Sequence, residues 1–372
     1  MSAGVQYRPT EMEISRGALR DNARLLKQRL GGKARLMAVV KADAYGHGAV
    51  ETARAALAGG ADQLAVALVE EGVQLRQAGV RAPILVLGGA TPQGAREAVA
   101  ANLAVALYDR EVLAAMQSQA AKLDCVAHAH VKIDTGMSRV GVAPGQELDG
   151  LIGAMKACPR VKCEGAFTHF AAADSDEDFT RWQNGRFSQG LTQLRGAGFR
   201  PMAHAAASDA MLRDESLWHD MVRPGIALYG ASVRHYLPGL TPAQRLTTRP
   251  LRLAWIQPGD TVGYGRTFTA AQPTLVATLP IGYGDGYPRA LSGKATALVK
   301  GQRCAQIGRV CMDLMMIDVT HIPGVTLEDE VVLLGSQGDQ RITPDELAIL
   351  ADTIPYEIML GFGPRVPRHW LP

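Results

Sequence analysis

The sequence lacks the features of a secreted, disulfide-bonded or membrane-spanning protein. Its five cysteines are an odd number and form no Cys-x-x-Cys pair, so they predict neither a disulfide framework nor a zinc ribbon. The first ten residues contain no basic stretch followed by an apolar core, and no uninterrupted apolar run approaches the roughly 18 residues of a membrane span. We therefore expect a cytoplasmic protein that does not interact with membranes.

A large excess of charge of one sign is also missing. The 39 basic and 36 acidic residues leave a net charge of +3, which is too balanced to indicate a nucleic-acid partner. The 372 residues, of which 47% are hydrophobic, are enough for about two domains. The composition therefore favours a small-molecule ligand.

Short apolar runs alternate with amphipathic stretches from Ser15 to about Gly230. The runs are Leu36–Val40, Leu64–Leu68, Ile84–Leu87, Leu103–Leu107, Val126–Ile133, Cys163–Phe167, Met202–Ala206 and Ile226–Tyr229. Helical patterns separate them, such as the one that ends at Gly59-Gly60. This alternation predicts an α/β fold with a (β/α)8 TIM-like barrel, and a doubly wound sheet is the alternative that periodicity leaves open.

The pattern changes after about Leu240 to short β-rich runs broken by proline and glycine. These runs are Leu253–Ile256, Leu275–Leu279, Ala295–Val299, Ala305–Val310, Leu314–Val319 and Val331–Leu334. One helix is predicted over Pro344–Ala351. We predict a barrel domain at residues 1–240 and a C-terminal all-β domain at residues 241–372.

Lys41 stands where the first apolar run ends and a helical pattern begins. An ammonium group at the end of a buried strand is costly to desolvate, so this position favours the neutral amine, which condenses with aldehydes. The segment Tyr45–Gly48 supplies a phenol and two glycines and leads into a helix, where backbone amides can bind a phosphate. Lys41 is thus predicted to form a Schiff base; an ordinary lysine that reaches water is the alternative.

The segment Val40–Gly48, with the sequence VKADAYGHG, resembles the signature of the alanine racemases, enzymes that use pyridoxal 5'-phosphate. Val222–Gly230, with the sequence VRPGIALYG, is closely similar to a second family segment, and the resemblance covers nearly the whole chain. It implies a fold-type-III enzyme, a barrel followed by a β-domain, that interconverts L- and D-alanine for bacterial peptidoglycan synthesis.

The resemblance also implies two acid/base groups on opposite faces of the substrate. Lys41 would serve the D-antipode and Tyr264 the L-antipode while the amino acid is linked to the cofactor. A free tyrosine has a pKa of about 10 and needs support near neutral pH, which His169 and Arg223 would give. In the family the arginine faces the pyridine nitrogen; because a guanidinium only donates, that nitrogen should stay unprotonated, which limits transamination.

The resemblance assigns further residues to binding. The cofactor set is Lys41, Tyr45, His169, His204, Ser208, Arg223, Gly225, Ile226 and Tyr356. The substrate set is Arg139, Tyr264, Tyr283, Met312 and Asp313. The lysine matching Lys132 is often N-carboxylated in relatives, and the resulting anion would orient Arg139. No metal is expected.

Two further implications concern assembly and cofactor affinity. In the family, residues matching Tyr264, Met312 and Asp313 reach the pocket across a subunit boundary, so the resemblance implies a homodimer with shared active sites. Relatives commonly have the sequence His-Ala-Ala-Asn-Ser, whereas this chain has Ala207 at the asparagine position before Ser208. The missing amide weakens the expectation of an ordered cofactor phosphate.

Three other functions are compatible with parts of the sequence. His128 and His130 lie on one face of a predicted strand, as in metal-dependent amidohydrolases, although no set of carboxylate ligands accompanies them. A non-enzymatic pyridoxal-phosphate-holding protein would resemble the barrel alone. A serine or broad-specificity racemase is the third alternative, because discrimination by one methylene or hydroxyl is worth only about 1–3 kcal/mol.

Overall fold

The computed structural model describes residues 7–231, 234 and 237–372, and the chain divides into two compact units. One unit is Leu19–Thr241, and the other combines the N-terminal residues as far as Ala18 with Pro242–Pro372. The predicted assignment of residues 1–240 to the barrel therefore needs a correction at its N-terminal end. Strand β1 (Glu11–Ser15) pairs with the strand Gln244–Thr248 and with the last strand, Arg368–Leu371, because backbone pairing partners need not be close in sequence.

The first unit contains a closed barrel of eight parallel strands, as the alternating pattern predicted. The barrel strands are β2 (Arg35–Val39), β3 (Gln63–Val66), β4 (Ile84–Val86), β5 (Ala104–Leu107), β6 (Ala127–Lys132), β7 (Val161–Phe167), β8 (Met202–His204) and β9 (Met221–Val222). Every residue of β3 and β4 is buried, which is typical of parallel strands covered on both faces. A doubly wound open sheet is thereby excluded.

The last barrel strand corrects one prediction. The run Ile226–Tyr229 forms a 3-10 helix, and β9 precedes it by four residues. Arg223, Pro224 and Gly225 separate the two elements, and Gly225 has φ −106° and ψ −89°, which is outside the strand region. A short, fully buried apolar run does not by itself distinguish a strand from a helix.

Helical segments follow or precede the barrel strands. They are α1 (Arg16–Leu30), α2 (Lys41–Tyr45), α3 (Ala49–Ala58), α4 (Val69–Gln77), α5 (Pro92–Ala100), α6 (Arg110–Lys122), α7 (Gln146–Lys156), α8 (Glu177–Gly196) and α9 (Ser208–Arg213). Local sequence sets several of their starts: Thr91 Oγ1 accepts a hydrogen bond from Gly94 N at 3.1 Å, and Asp176 Oδ1 accepts one from Phe179 N at 2.9 Å. In the described residues, no helix is both long enough and apolar enough to span a membrane.

The second unit is mostly β-structure, as predicted. Besides β1, its strands are β10 (Gln244–Thr248), β11 (Arg252–Ile256), β12 (Thr261–Val262), β13 (Phe268–Thr269), β14 (Thr274–Leu279), β15 (Thr296–Val299), β16 (Gln302–Ile307), β17 (Met315–Asp318), β18 (Val331–Gln337), β19 (Gln340–Ile342) and β20 (Arg368–Leu371). The larger sheet has the order β11-β14-β17-β16-β15-β18-β10-β1-β20, with β19 paired to β18. Two helices, α10 (Pro344–Ala351) and α11 (Pro355–Gly361), belong to this unit, and α10 confirms the predicted helix.

Candidate active site

Lys41 follows the first barrel strand and begins a turn of left-handed backbone. The four residues Ala42–Tyr45 have φ values between 50° and 54°. Left-handed backbone costs roughly 1–2 kcal/mol for each residue other than glycine, so contacts with the surroundings must stabilise this turn. Within it, Ala44 N donates to Val40 O at 3.0 Å. The helix predicted after the segment Tyr45–Gly48 begins at Ala49, in α3.

The environment of Lys41 favours its neutral amine. Burial lowers the pKa of Lys41 from its ordinary value, and the positive charge of Arg139 lowers it further. The negative charge of Glu71 acts in the opposite direction. A larger fraction of this amine is therefore unprotonated near neutral pH than for a lysine in water.

Glu71 is a residue of this region that our sequence reasoning missed. It lies in the first turn of α4, and its Oε1 accepts a hydrogen bond from Ala42 N at 2.5 Å. Its Oε2 accepts from Ala67 N at 2.7 Å and from Leu68 N at 3.1 Å. The available sequence signal was an acidic residue at the third position of a helix, where its side chain can accept hydrogen bonds from the backbone at the helix start. The carboxylate joins the turn after Lys41 to the loop after β3.

Arg223 follows β9 directly, and its guanidinium is buried. Nη2 donates to the carbonyl oxygens of Thr168 at 2.7 Å and Ala205 at 2.9 Å, and Nη1 donates to His204 Nδ1 at 2.9 Å. His169 Nδ1 lies 3.5 Å from Nη2. Burial lowers the pKa of Arg223 to about 9, which leaves the guanidinium charged at neutral pH.

The donors of Arg223 determine the proton positions on two buried histidines. A guanidinium has no acceptor, so His204 Nδ1 must accept and the His204 proton lies on Nε2. That nitrogen is 2.8 Å from His130 Nδ1, which is therefore the next acceptor. Burial lowers the pKa of His130 to about 4 and that of His204 well below its ordinary value. Both rings are neutral at pH 7.

His130 thus has a partner other than a metal. His128, two residues earlier, places Nδ1 3.0 Å from a carboxylate oxygen of Glu164. Across the part of the chain that the structure describes, no group of three or more histidine, cysteine, aspartate or glutamate side chains could hold a metal ion.

Ser208, Gly225 and Tyr45 meet at one place in the barrel unit. Ser208 Oγ accepts from Gly225 N at 3.0 Å and from Ala227 N at 3.2 Å. A Cβ atom on Gly225 would overlap the Tyr45 hydroxyl, so the phenol reaches the same backbone. Hydroxyls and backbone N–H groups of this kind suit a phosphate dianion. Ile226 begins the adjacent 3-10 helix.

The departure at Ala207 has a visible local consequence. Ala207 is the residue that precedes α9, and no side chain caps the start of this helix. Asparagine at such a position is among the residues that cap helices best, because its side-chain oxygen accepts from the first helical N–H groups. This chain lacks that acceptor beside Ser208.

Lys132 ends β6 and is buried. Its Nζ donates to Ile133 O at 3.3 Å, and its pKa is lowered to about 8, mainly by burial. Asp134 Oδ1 accepts three hydrogen bonds, of 2.9 to 3.2 Å, from the N–H groups of Gly136–Ser138. These bonds order the loop that carries the exposed Arg139.

In the second unit, Tyr264 lies in a 3-10 turn, and 73% of it is exposed. The flanking glycines make this turn possible, because Gly263 has φ 72° and Gly265 has φ 74°. A Cβ atom on Gly265 would lie 3.1 Å from the Arg309 guanidinium carbon. The turn is therefore packed against the segment that precedes Met312.

The other predicted residues of the second unit lie on loops that contact one another. Tyr283 N donates to Cys311 O at 3.0 Å, which joins the Tyr283 turn to the loop carrying Met312 and Asp313. Asp313 Oδ1 accepts from Arg365 Nη2 at 2.7 Å. Met312 is 53% exposed.

Tyr356 is half-buried in α11. The last residue of this helix, Gly361, approaches Gly286 so closely that a Cβ atom on Gly286 would overlap the Gly361 carbonyl oxygen. The C-terminal end of α11 therefore packs next to the Tyr283 turn.

The predicted site residues are thus divided between the two units. Residues at or after the carboxyl ends of barrel strands are Lys41, Tyr45, Lys132, Arg139, His169, His204, Ser208, Arg223, Gly225 and Ile226. Residues of the second unit are Tyr264, Tyr283, Met312, Asp313 and Tyr356. A closed parallel barrel with its polar side chains at the carboxyl ends of the strands defines the class of (β/α)8-barrel enzymes.

Comparisons with known proteins identify the family. A model described as "Alanine racemase, N-terminal domain" matches residues 14–233, and one described as "Alanine racemase, C-terminal domain" matches residues 243–370. The chain belongs to the alanine racemase family, whose members are isomerases that use pyridoxal 5'-phosphate.

Similar relatives and solved structures cover nearly the whole chain. The chain is 45% identical to an alanine racemase of Symbiobacterium thermophilum over 371 residues, which are 98% of this chain and 97% of the relative. It is 41% identical to one of Citrifermentans bemidjiense over 97% of this chain and 98% of that relative. The structure of an alanine racemase from Streptomyces coelicolor superimposes with a TM-score of 0.93 at 35% identity and covers 98% of each chain.

Proposed function

We propose that this chain is an alanine racemase that interconverts L- and D-alanine by two-base proton transfer with pyridoxal 5'-phosphate. The observation that carries the proposal is the partly buried amine of Lys41 at a barrel strand end, where burial and Arg139 lower its pKa. Family membership over both units supports the same reaction.

The residues of the barrel unit suit this cofactor. When bound, the cofactor supplies a carbonyl that links to amines and a ring that withdraws electrons from the α-carbon. Lys41 would hold the carbonyl carbon, and Tyr45, Ser208 and the backbone of Gly225 and Ile226 would hold the phosphate. A Cβ on Gly225 would overlap the Tyr45 hydroxyl, so these two members of the set lie against each other. Tyr356 is the second-unit member of this set.

Arg223 would face the ring nitrogen. The guanidinium of Arg223 only donates hydrogen bonds and, unlike a carboxylic acid, does not transfer a proton to the ring nitrogen. His204 orients the guanidinium through the 2.9 Å hydrogen bond from Nη1. His169, whose pKa is lowered well below the ordinary value by burial and by Arg223, is neutral and can accept a hydrogen bond.

Two side chains would move the proton. Lys41 Nζ exchanges the α-proton on the side of the D-antipode, and the Tyr264 hydroxyl exchanges it on the side of the L-antipode. Arg139 binds the substrate carboxylate, with Tyr283, Met312 and Asp313 closing the pocket. Lys132 has the lowered pKa that raises the fraction of neutral amine able to react with carbon dioxide.

The proposal includes a homodimer with shared active sites in the cytoplasm, which supplies D-alanine for peptidoglycan. The high exposure of Tyr264 and Met312 supports the assembly, since large apolar side chains of this kind are typical of surfaces that a partner covers.

The proposal is tested by replacing the phenol oxygen of one tyrosine. Tyr264→Phe should slow racemisation by at least about 100-fold in both directions, because the second acid/base group is lost. The protein should keep the visible absorbance of its lysine-bound cofactor. Racemisation is measured with a panel of single amino acids in deuterated water, and alanine should react fastest.

Tyr7→Phe serves as the control, because Tyr7 is an exposed tyrosine of the same unit. Unchanged turnover of Tyr264→Phe in both directions would contradict the two-base assignment. Faster turnover of serine than of alanine would replace the proposed substrate. Bound cofactor without deuterium incorporation into any amino acid would show a binding protein.

A further inference from the structure

The left-handed turn after Lys41 depends on a contact from outside the turn. The amide of Ala42, the first left-handed residue, donates a hydrogen bond of 2.5 Å to Glu71 Oε1. The other oxygen of the same carboxylate holds Ala67 N and Leu68 N, so its position is fixed by the neighbouring barrel strand and α4. Strained backbone of this kind persists only where the surroundings over-determine it.

Glu71 is also the anion among the charged groups that act on Lys41. The charged groups that act on Lys41 are Arg139 and Glu71, and Lys41 in turn acts on the neighbouring His169. Arg139 is a cation, and His169 is neutral because burial lowers its pKa far below the ordinary value. The negative charge of Glu71 therefore raises the pKa of Lys41, whereas burial and Arg139 lower it.

We infer that Glu71 is a positioning residue for Lys41: its carboxylate stabilises the left-handed turn that aims the lysine and balances part of the positive charge around the amine. This inference rests on the proposed function, since it concerns the amine that would carry the cofactor. Glu71 touches the backbone beside Lys41 and acts through it.

The two effects of the carboxylate can be separated by substitution. Glu71→Gln keeps the size of the side chain and one acceptor oxygen but removes the charge. Its NH2 group replaces the second oxygen and cannot accept a hydrogen bond from a backbone N–H. Glu71→Asp keeps the charge but is one methylene shorter, so one carboxylate can no longer reach Ala42 N while it holds Ala67 N and Leu68 N.

The experiment measures the pKa of Lys41 without cofactor chemistry. The full-length protein is freed of cofactor, treated with trace acetic anhydride over a series of pH values, and the acetylation of the Lys41 peptide is quantified by mass spectrometry. In Glu71→Gln the midpoint should fall by about half a pH unit or more, because a nearby negative charge is lost.

Glu70→Gln is the matched control, because Glu70 is the exposed neighbour on the same helix. Its midpoint should equal that of the unmodified chain. The inference would be overturned if the acetylation midpoint of Lys41 in Glu71→Gln equalled the midpoints in Glu70→Gln and in the unmodified chain. Since acetylation needs no cofactor, this outcome differs from failure of the proposed function, in which the unmodified chain would not bind pyridoxal phosphate through Lys41.

A second measurement decides the matter if Glu71→Gln does not fold. Hydrogen exchange of the Ala42 amide is followed in Glu71→Asp and in the unmodified protein. Loss of the 2.5 Å hydrogen bond should speed exchange at Ala42 by more than about tenfold, with amides of α6 unaffected. Unchanged exchange at Ala42 would overturn the inference.

Discussion

At the scale of single residues, one buried side chain that is charged at neutral pH determines the protonation of its neighbours. Arg223 forces His204 to accept on Nδ1, and His204 in turn donates to His130. Protonation of either imidazole would place N–H against N–H in a buried hydrogen bond. The chain of hydrogen bonds therefore keeps both rings neutral and holds the Arg223 donors in one orientation.

This arrangement predicts a specific pH dependence of stability. His130 has an ordinary pKa of 6.5 when unfolded and about 4 when folded. Above pH 6.5 it is neutral in both states. As the pH falls toward 4, the unfolded state binds a proton that the folded state does not, so the folded state is destabilised by up to about 3 kcal/mol.

His130→Asn should remove this contribution, because an amide oxygen near the position of Nδ1 still accepts from His204 but does not titrate. We expect urea unfolding midpoints to fall less between pH 7 and pH 5 in this variant than in the unmodified protein. His321→Asn, at an exposed position, is the control. An identical acid dependence in all three proteins would contradict the neutral buried pair.

Residues with a local signature could be predicted from the sequence, whereas long-range partners could not. Lys41 and Arg223 stand in continuous motifs beside predicted strands. The hydrogen bond between His130 and His204 joins residues 74 positions apart, and no local pattern indicates it. Glu71 was missed because its acceptor role depends on a turn 29 residues away.

At the scale of elements, hydrophobic alternation located the strands well where helices separate them. It was wrong for the last barrel strand, since Ile226–Tyr229 is apolar and buried but follows Pro224 and Gly225. It also did not indicate β1, whose parallel pairing with β20 joins Met12 to Arg368. Pairing over such a distance depends on the whole fold.

The loop–loop contact in the second unit gives a prediction about one glycine. A Cβ atom on Gly282 would overlap the carbonyl oxygens of Cys311 and Met312. Gly282→Ala should therefore destabilise the protein by roughly 1–3 kcal/mol and lower the thermal unfolding midpoint by several degrees. Gly363→Ala, whose Cβ would find its nearest atom at 3.9 Å, is the control in calorimetry. Equal midpoints for both variants would argue against this close contact.

At the scale of the whole molecule, the two units each contain part of the proposed catalytic set. Lys41 belongs to the barrel unit and Tyr264 to the other. The division near residue 241 could be predicted because hydrophobic patterning changes there. The return of the N-terminal residues to the second unit could not, because it depends on pairing of β1 with β10 and β20.

A shared active site predicts complementation between two inactive variants. Lys41→Ala and Tyr264→Phe should each be nearly inactive alone. When the two chains are co-expressed, about half of the dimers should be mixed, and each mixed dimer should hold one intact site of two, which gives the purified mixed dimer about half of the unmodified activity. Activity is measured on the purified mixed dimer. Its absence there would contradict sites built across the subunit boundary.

The central claim is that Lys41 carries the cofactor, and the most direct test is reduction of the freshly purified protein with borohydride followed by peptide mapping. We predict that the phosphopyridoxyl group lies on Lys41 and that Lys132, the other lysine whose pKa burial lowers, stays free of it. A label on a different lysine, with Lys41 unmodified, would contradict the account.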